Sequence, residues 1–259
     1  VAGQEAIILD GETYKTTLDF AYGLNDQWLA RLSIPYIQHS SGLLDNAIEQ
    51  WHKGLGLSNA RRSRFSRNQL RYEYVENGQP KVSVLNAGGG IGDITLGLSF
   101  MPVSWQSRAV FRVINMDVKL PVGDAERLTG NGAIDGGLSI NMRYSNLFQS
   151  RRLTLRVVPG VQWHAQGNVI PARQKDISYS LDGGLHWKAN KALTLSTQLN
   201  FHTAYFDSQL NELGKDSIQL LLAGAYRLEE DISYQFALGE NLFTDATADV
   251  SLHFMVQLR

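Results

Sequence analysis

Residues 134–144 read Ile-Asp-Gly-Gly-Leu-Ser-Ile-Asn-Met-Arg-Tyr. Ile134, Gly136, Leu138, Ile140, Met142 and Tyr144 fall on one parity; Asp135, Gly137, Ser139, Asn141 and Arg143 fall on the other. Side chains alternate across a strand, so this is a β-strand with one apolar and one strongly polar face. Ile177–Trp187 and Val250–Leu258 repeat the pattern, with His186 and His253 on the polar parity. Strands of a soluble sandwich run to about five or six residues. These are nearly twice that length.

Working outward, the same test gives eleven strands, near 12–22, 27–39, 92–101, 107–119, 133–144, 152–164, 177–188, 192–203, 216–228, 231–239 and 248–258. One strand changes face midway. Ala109, Phe111 and Val113 are apolar at odd positions, then Ile114, Met116, Val118 and Leu120 at even ones. A β-bulge near Val113 would restore the register, and is expected there. Short turns follow the first, third, fifth, seventh and ninth strands, while the other end carries long loops at 40–91, 121–132, 165–176, 204–215 and 240–247. Tyr22, Trp28, Phe100, Tyr144, Trp187, Tyr226 and Tyr234 mark the short-turn end; Tyr14, Tyr36, Trp163, Tyr179 and Phe201 mark the other. Two aromatic bands and alternating loop lengths describe a transmembrane antiparallel up-and-down β-barrel of the outer-membrane kind. Residues 1–259 are expected to be one such domain, with 40–91 an extracellular loop carrying a short helix and a hairpin. Such barrels usually have an even strand count. Twelve strands are therefore expected, with an N-terminal strand missing from the sequence.

Composition agrees. The 259 residues are 43% hydrophobic and 19% charged, which excludes a disordered chain. The longest nearly apolar run, Ile218 to Tyr226, is too short for a spanning helix. A net charge of −1 gives no reason to expect nucleic acid. Cysteine is absent, so disulfides and thiolate metal sites are excluded.

Four segments carry a family likeness: Leu9-Asp10-Gly11-Glu12-Thr13-Tyr14; Ser40-Ser41-Gly42-Leu43-Leu44-Asp45 with Glu49, Trp51 and His52; Gly90-Ile91-Gly92-Asp93-Ile94-Thr95-Leu96-Gly97; and Lys119-Leu120-Pro121-Val122-Gly123-Asp124-Ala125-Glu126-Arg127-Leu128-Thr129-Gly130. Together they resemble an uncharacterised family of proteobacterial outer-membrane β-barrel proteins, related to the meta-pathway phenol-degradation barrels. The resemblance implies one more strand upstream. By analogy alone, it implies passage of small hydrophobic or aromatic compounds.

If the apolar face meets lipid, the polar face lines a lumen. Candidate lining residues are Arg31, Asp93, Arg112, Asp117, Asp135, Arg143, Arg156, Asp182, His186 and His253. Asp93, Asp117, Asp135 and Asp249 would make an acidic mouth above a basic waist, with Arg143, Lys188, Arg227 and Arg259 near the short-turn rim. Equally, opposite charges could pair and fill the interior, since buried charges demand partners. Leu44, Ala47, Ile48 and Trp51 recur at helical spacing; with Arg61 and Arg62 they are candidates for a loop constriction. That helix could instead rest on the barrel rim, and the arginines could grip lipopolysaccharide phosphates. Asn77-Gly78, between Leu70, Tyr72, Tyr74 and Val82, Val84, predicts a hairpin. The Gly88–Gly92 run precedes no helix and so is no phosphate loop. Asp124 and Glu126 lack a calcium-loop spacing.

The expectation is a monomeric channel in the bacterial outer membrane, passing a small anionic or aromatic solute passively through a narrow, charge-lined lumen. It needs no cofactor and no metal, and its partners are lipid and lipopolysaccharide. The alternative is a closed structural or receptor-like barrel whose outer loops bind a partner or lipopolysaccharide. An outer-membrane lipid hydrolase is a third reading. It needs a nucleophile on the lipid face, whereas every in-strand histidine falls on the lumen parity.

Overall fold

A computed structural model describes residues 4–42, 46, 50, 53–54, 69–107, 109–242 and 250–258. Its strands are β1 (Glu5–Asp10), β2 (Glu12–Gly23), β3 (Trp28–Ser40), β4 (Arg71–Glu76), β5 (Gln79–Val84), β6 (Gly88–Ile91), β7 (Ile94–Phe100), β8 (Val110–Leu120), β9 (Asp135–Ser145), β10 (Leu153–His164), β11 (Ile177–Lys188), β12 (Leu193–His202), β13 (Ser217–Arg227), β14 (Ile232–Asn241) and β15 (Val250–Leu258). The main sheet is antiparallel and up-and-down, in the order β15-β14-β13-β12-β11-β10-β9-β8-β7-β3-β2, with β6 also pairing β3. These eleven strands are the ones the alternation picks out. At the ends of the path, β2 and β15 both run from the long-loop end to the short-turn end. They point the same way, so only an odd number of intervening strands can close the sheet by antiparallel pairing.

The outer face is a belt of exposed apolar side chains. Leu18 is 59% exposed, Leu252 57% and Phe254 70%, and the tyrosine and tryptophan bands lie at its two margins. Trp28 and Phe100 stack within the short-turn band, ring centroids 4.6 Å apart.

The bulge expected near Val113 is not there. Pairing of β8 with β9 runs unbroken from Val110↔Tyr144 to Lys119↔Asp135, and pairing with β7 from Phe100↔Ile114 to Ile94↔Leu120. An unbroken register fixes the faces. Asp117, Asn115, Val113 and Phe111 point inward, whereas Met116, Ile114 and Arg112 share the outer parity. The apparent switch arises because the inner face itself turns apolar near the short-turn end.

A second, three-stranded sheet, β1-β4-β5, stands at the long-loop end. Its hairpin turns at Asn77 and Gly78, both at positive φ (53° and 75°), as a tight hairpin turn requires. The chain enters the main sheet through Gly11 at φ +143°, where a Cβ would lie 2.7 Å from Leu70 and 3.2 Å from the Ser40 carbonyl. Any side chain there would clash.

Candidate functional site: the barrel interior

The long-loop end of the interior is packed. Among the described residues, the largest fully buried side chains are Tyr74, Thr129, Ser178 and Ser217. All four lie in the small sheet, in a long loop, or at the adjoining strand ends.

The small sheet spans this end. Beside β2 and β3, the Tyr72 hydroxyl lies 3.2 Å from that of Thr13, and the Tyr72 ring meets His39 edge-on at 5.3 Å. At the far end, Glu5 is clasped by loops five to seven strands further round. Its carboxylate accepts hydrogen bonds from the Tyr74 hydroxyl (2.8 Å), the Ser208 hydroxyl (2.9 Å) and the Gln209 amide (3.1 Å). Arg173 reaches toward it at 3.8 Å and pairs with Glu76 at 2.8 Å. Glu5 and Glu76 are directly opposite across β1 and β4, and like charges so placed repel unless a cation lies between them. Burial alone pushes the Glu5 carboxyl up, but its hydrogen bonds and Arg173 outweigh this and hold it below the ordinary value. Burial and the Glu5 charge push the Tyr74 phenol up to about 12.

Beneath this roof, loop 121–132 folds inward around Asp93, whose side chain is 8% exposed. Asp93 accepts the Gly123 amide at 3.0 Å and the Asn131 amide at 3.1 Å. Lys119 Nζ lies 2.7 Å from Asp93 and 3.0 Å from Asp135, and also donates to the Ala133 carbonyl at 3.0 Å. His164 stands 3.8 Å from Asp135 and 2.8 Å from the Ser178 hydroxyl. Two carboxylates here share one lysine, so among the described residues, which do not include Asp249, the mouth is not a free acidic ring. Its charge is partly offset, and the inward loop narrows it.

At mid-depth, Arg31 pairs with Asp117 at 2.7 Å. Ser99 donates to Asn115 at 2.8 Å, continuing the polar ladder on the inner face. Asp182 and His186 point inward from β11, with His186 2.7 Å from the Ser196 hydroxyl. His253 points inward from β15, 3.2 Å from Ser251. Toward the short-turn end, Arg143 and Arg156 are directly opposite on β9 and β10. The Arg143 guanidinium lies 4.9 Å above the Phe111 ring, and Arg156 Nε donates to Asn141 at 3.3 Å. Below them Leu29, Ser99, Met101, Phe111 and Val113, together with the turn residues 25–28, line a cavity of about 370 Å³.

Nine of the ten expected lining residues thus lie on the inner side. Arg112 is the correction: it pairs with Met142 on the outer parity, because β8 keeps its register, and its guanidinium turns back to the Trp105 carbonyl. Leu44, Ile48, Trp51, Arg61 and Arg62 lie outside the described residues. Lys119 and Phe111 were missed as interior groups, whereas His164, like every in-strand histidine, already fell on the lumen parity. Lys119 shares the parity of Asp117, a signal available in the sequence. The Glu5–Arg173 contact joins segments far apart in the chain and leaves no local trace.

Comparison with known proteins places the fold. Over 99% of its length the chain is similar to 97% of the NanC porin, at 11% identity and a TM-score of 0.55. Over 96% of its length it is similar to 82% of the COG4313 outer membrane channel from Pseudomonas putida F1, at 11% identity and a TM-score of 0.58. No curated protein sequence matches it. The whole chain, residues 1–259, matches one family model, and the protein belongs to that family, described as protein of unknown function (DUF3187).

Proposed function

We propose that this protein is an outer-membrane channel through which a small solute diffuses passively. The observation that carries the reading is the opposition of its two faces. A predominantly apolar belt between aromatic bands suits acyl chains and two interfaces, while Arg31, Asp117, Arg143, Arg156, Asp182, His186 and His253 line the inside. Charged and hydrogen-bonding groups at mid-depth are costly unless water or partners meet them, and here they face the enclosed side. The fold shared with a porin and an outer-membrane channel supports the same reading. Packing concentrated at the long-loop end makes the outer mouth the narrow point and leaves the short-turn half wider.

Planar-bilayer recording of the purified protein tests this. Discrete current steps that scale with salt are expected. Silence over a range of voltages and pH overturns the channel reading and favours the closed barrel, to which the packed mouth would then belong.

A further inference from the structure

We infer that Arg143 and Arg156, with the cavity beneath them, form a binding site for a small organic anion with an apolar body. The inference rests on the channel reading and deepens it by naming the class of solute. It starts from an imbalance of charge. Arg31, Lys119 and Arg173 each have a carboxylate within ion-pair distance. Among the described residues, no carboxylate comes so close to Arg143 or Arg156, although they stand directly opposite one another. Asp182 and His186 lie within electrostatic reach of Arg156 only. Like charges in register repel, and nothing neutral relieves that repulsion as an anion would. Two guanidinium forks offer parallel N–H donors, the geometry that grips a carboxylate or phosphate.

The second observation is what lies next to them. The cavity is bordered on one side by the turn residues Asn25, Asp26 and Gln27; on the other, Phe111, which carries the Arg143 guanidinium on its face, lines it with Leu29, Met101 and Val113. These side chains are on the inner face, where a channel built only to hold water would place polar groups. A volume of about 370 Å³ falls within the range of small-molecule sites. One cationic ledge above one apolar hollow matches a ligand with a charged head and an apolar body. A hydrated chloride fits only the ledge.

Isothermal titration of the whole detergent-solubilised protein at neutral pH tests this with four probes: cyclohexanecarboxylate, acetate, cyclohexanol and cyclohexylammonium. The carboxylate with the ring should bind saturably, and roughly tenfold or more tightly than the other three. The double variant Arg143→Gln, Arg156→Gln should reduce that affinity at least about tenfold, and Phe111→Ala should bring it toward that of acetate. Arg143→Lys keeps the charge without the planar fork and should give an intermediate affinity, which guards against loss by misfolding. Equal binding of all four probes, or an affinity indifferent to the arginine substitutions, overturns the site. Binding is scored apart from conductance. Selective binding by a protein silent in bilayers overturns the channel and leaves the site; conductance without selective binding does the reverse.

Discussion

Glu5→Ala should undock the small sheet from the opposite wall. The Glu5 side chain is 3% exposed and accepts three hydrogen bonds, from Tyr74, Ser208 and Gln209. A hydrogen bond to an ionised group contributes about 1.5–3 kcal/mol net. Undocking of the sheet lets the freed donors rehydrate, so the value of one such bond, not three, is the fair figure. A loss of about 1.5–3 kcal/mol moves the docked-to-undocked equilibrium roughly tenfold to a hundred-and-fiftyfold. Hydrogen exchange reads this directly: amides of β1 and β4 should lose protection by that factor, while those of β9 and β10 keep theirs. Acid should act in the same direction. The Glu5 carboxyl is held below its ordinary value of 4.5, so its contribution is complete above that pH and is lost as the pH falls through the lower, folded value. Unchanged exchange in β1 and β4, both in Glu5→Ala and in wild type brought well below pH 4, would show that the clasp does not hold the roof.

Lys119→Met should be severe, because it leaves Asp93 and Asp135 buried without their shared cation. Removing one partner of a buried pair costs about 3–5 kcal/mol, visible as a lower midpoint in heat-modified gel mobility and as new protease cleavage at Arg127. Arg31→Ala and Asp117→Ala should move ion selectivity in opposite directions, toward cations and anions respectively, as reversal potentials in a salt gradient will register. Leu252→Arg, on the outer face, should lower folding stability in lipid by about 2–4 kcal/mol if it lies near the midplane. The neighbouring His253→Arg, on the inner face, should cost far less, and urea titration in vesicles compares the two.

Periodicity made the main sheet legible because the two faces of each strand meet opposite environments, and parity is a local property of sequence. It misled at β8 for the same reason. Phe111 and Val113 are apolar yet face inward, so hydrophobicity ceased to report the face, and only the register with Arg143 and Asn141 on β9 restores it. The pairing partners of the charges were not legible. Arg31 finds Asp117 two strands away, and Lys119 finds Asp93 and Asp135 through the inward fold of loop 121–132. Such contacts depend on how strands are staggered, which one chain's alternation does not encode. β1 escaped notice because six residues at an end, Glu5–Asp10, offer too few alternations to distinguish a strand from a loop.

The absence of cysteine allows the central claim to be tested at single sites. Spin labels attached to cysteines introduced one at a time at Ser251, Leu252, His253 and Phe254, in protein reconstituted into vesicles, should alternate in accessibility. Labels at 252 and 254 should collide with oxygen dissolved in the bilayer, and those at 251 and 253 with a water-soluble nickel chelate. If the alternation is reversed, or if all four sites meet the chelate alike, the apolar belt does not face lipid and the account fails.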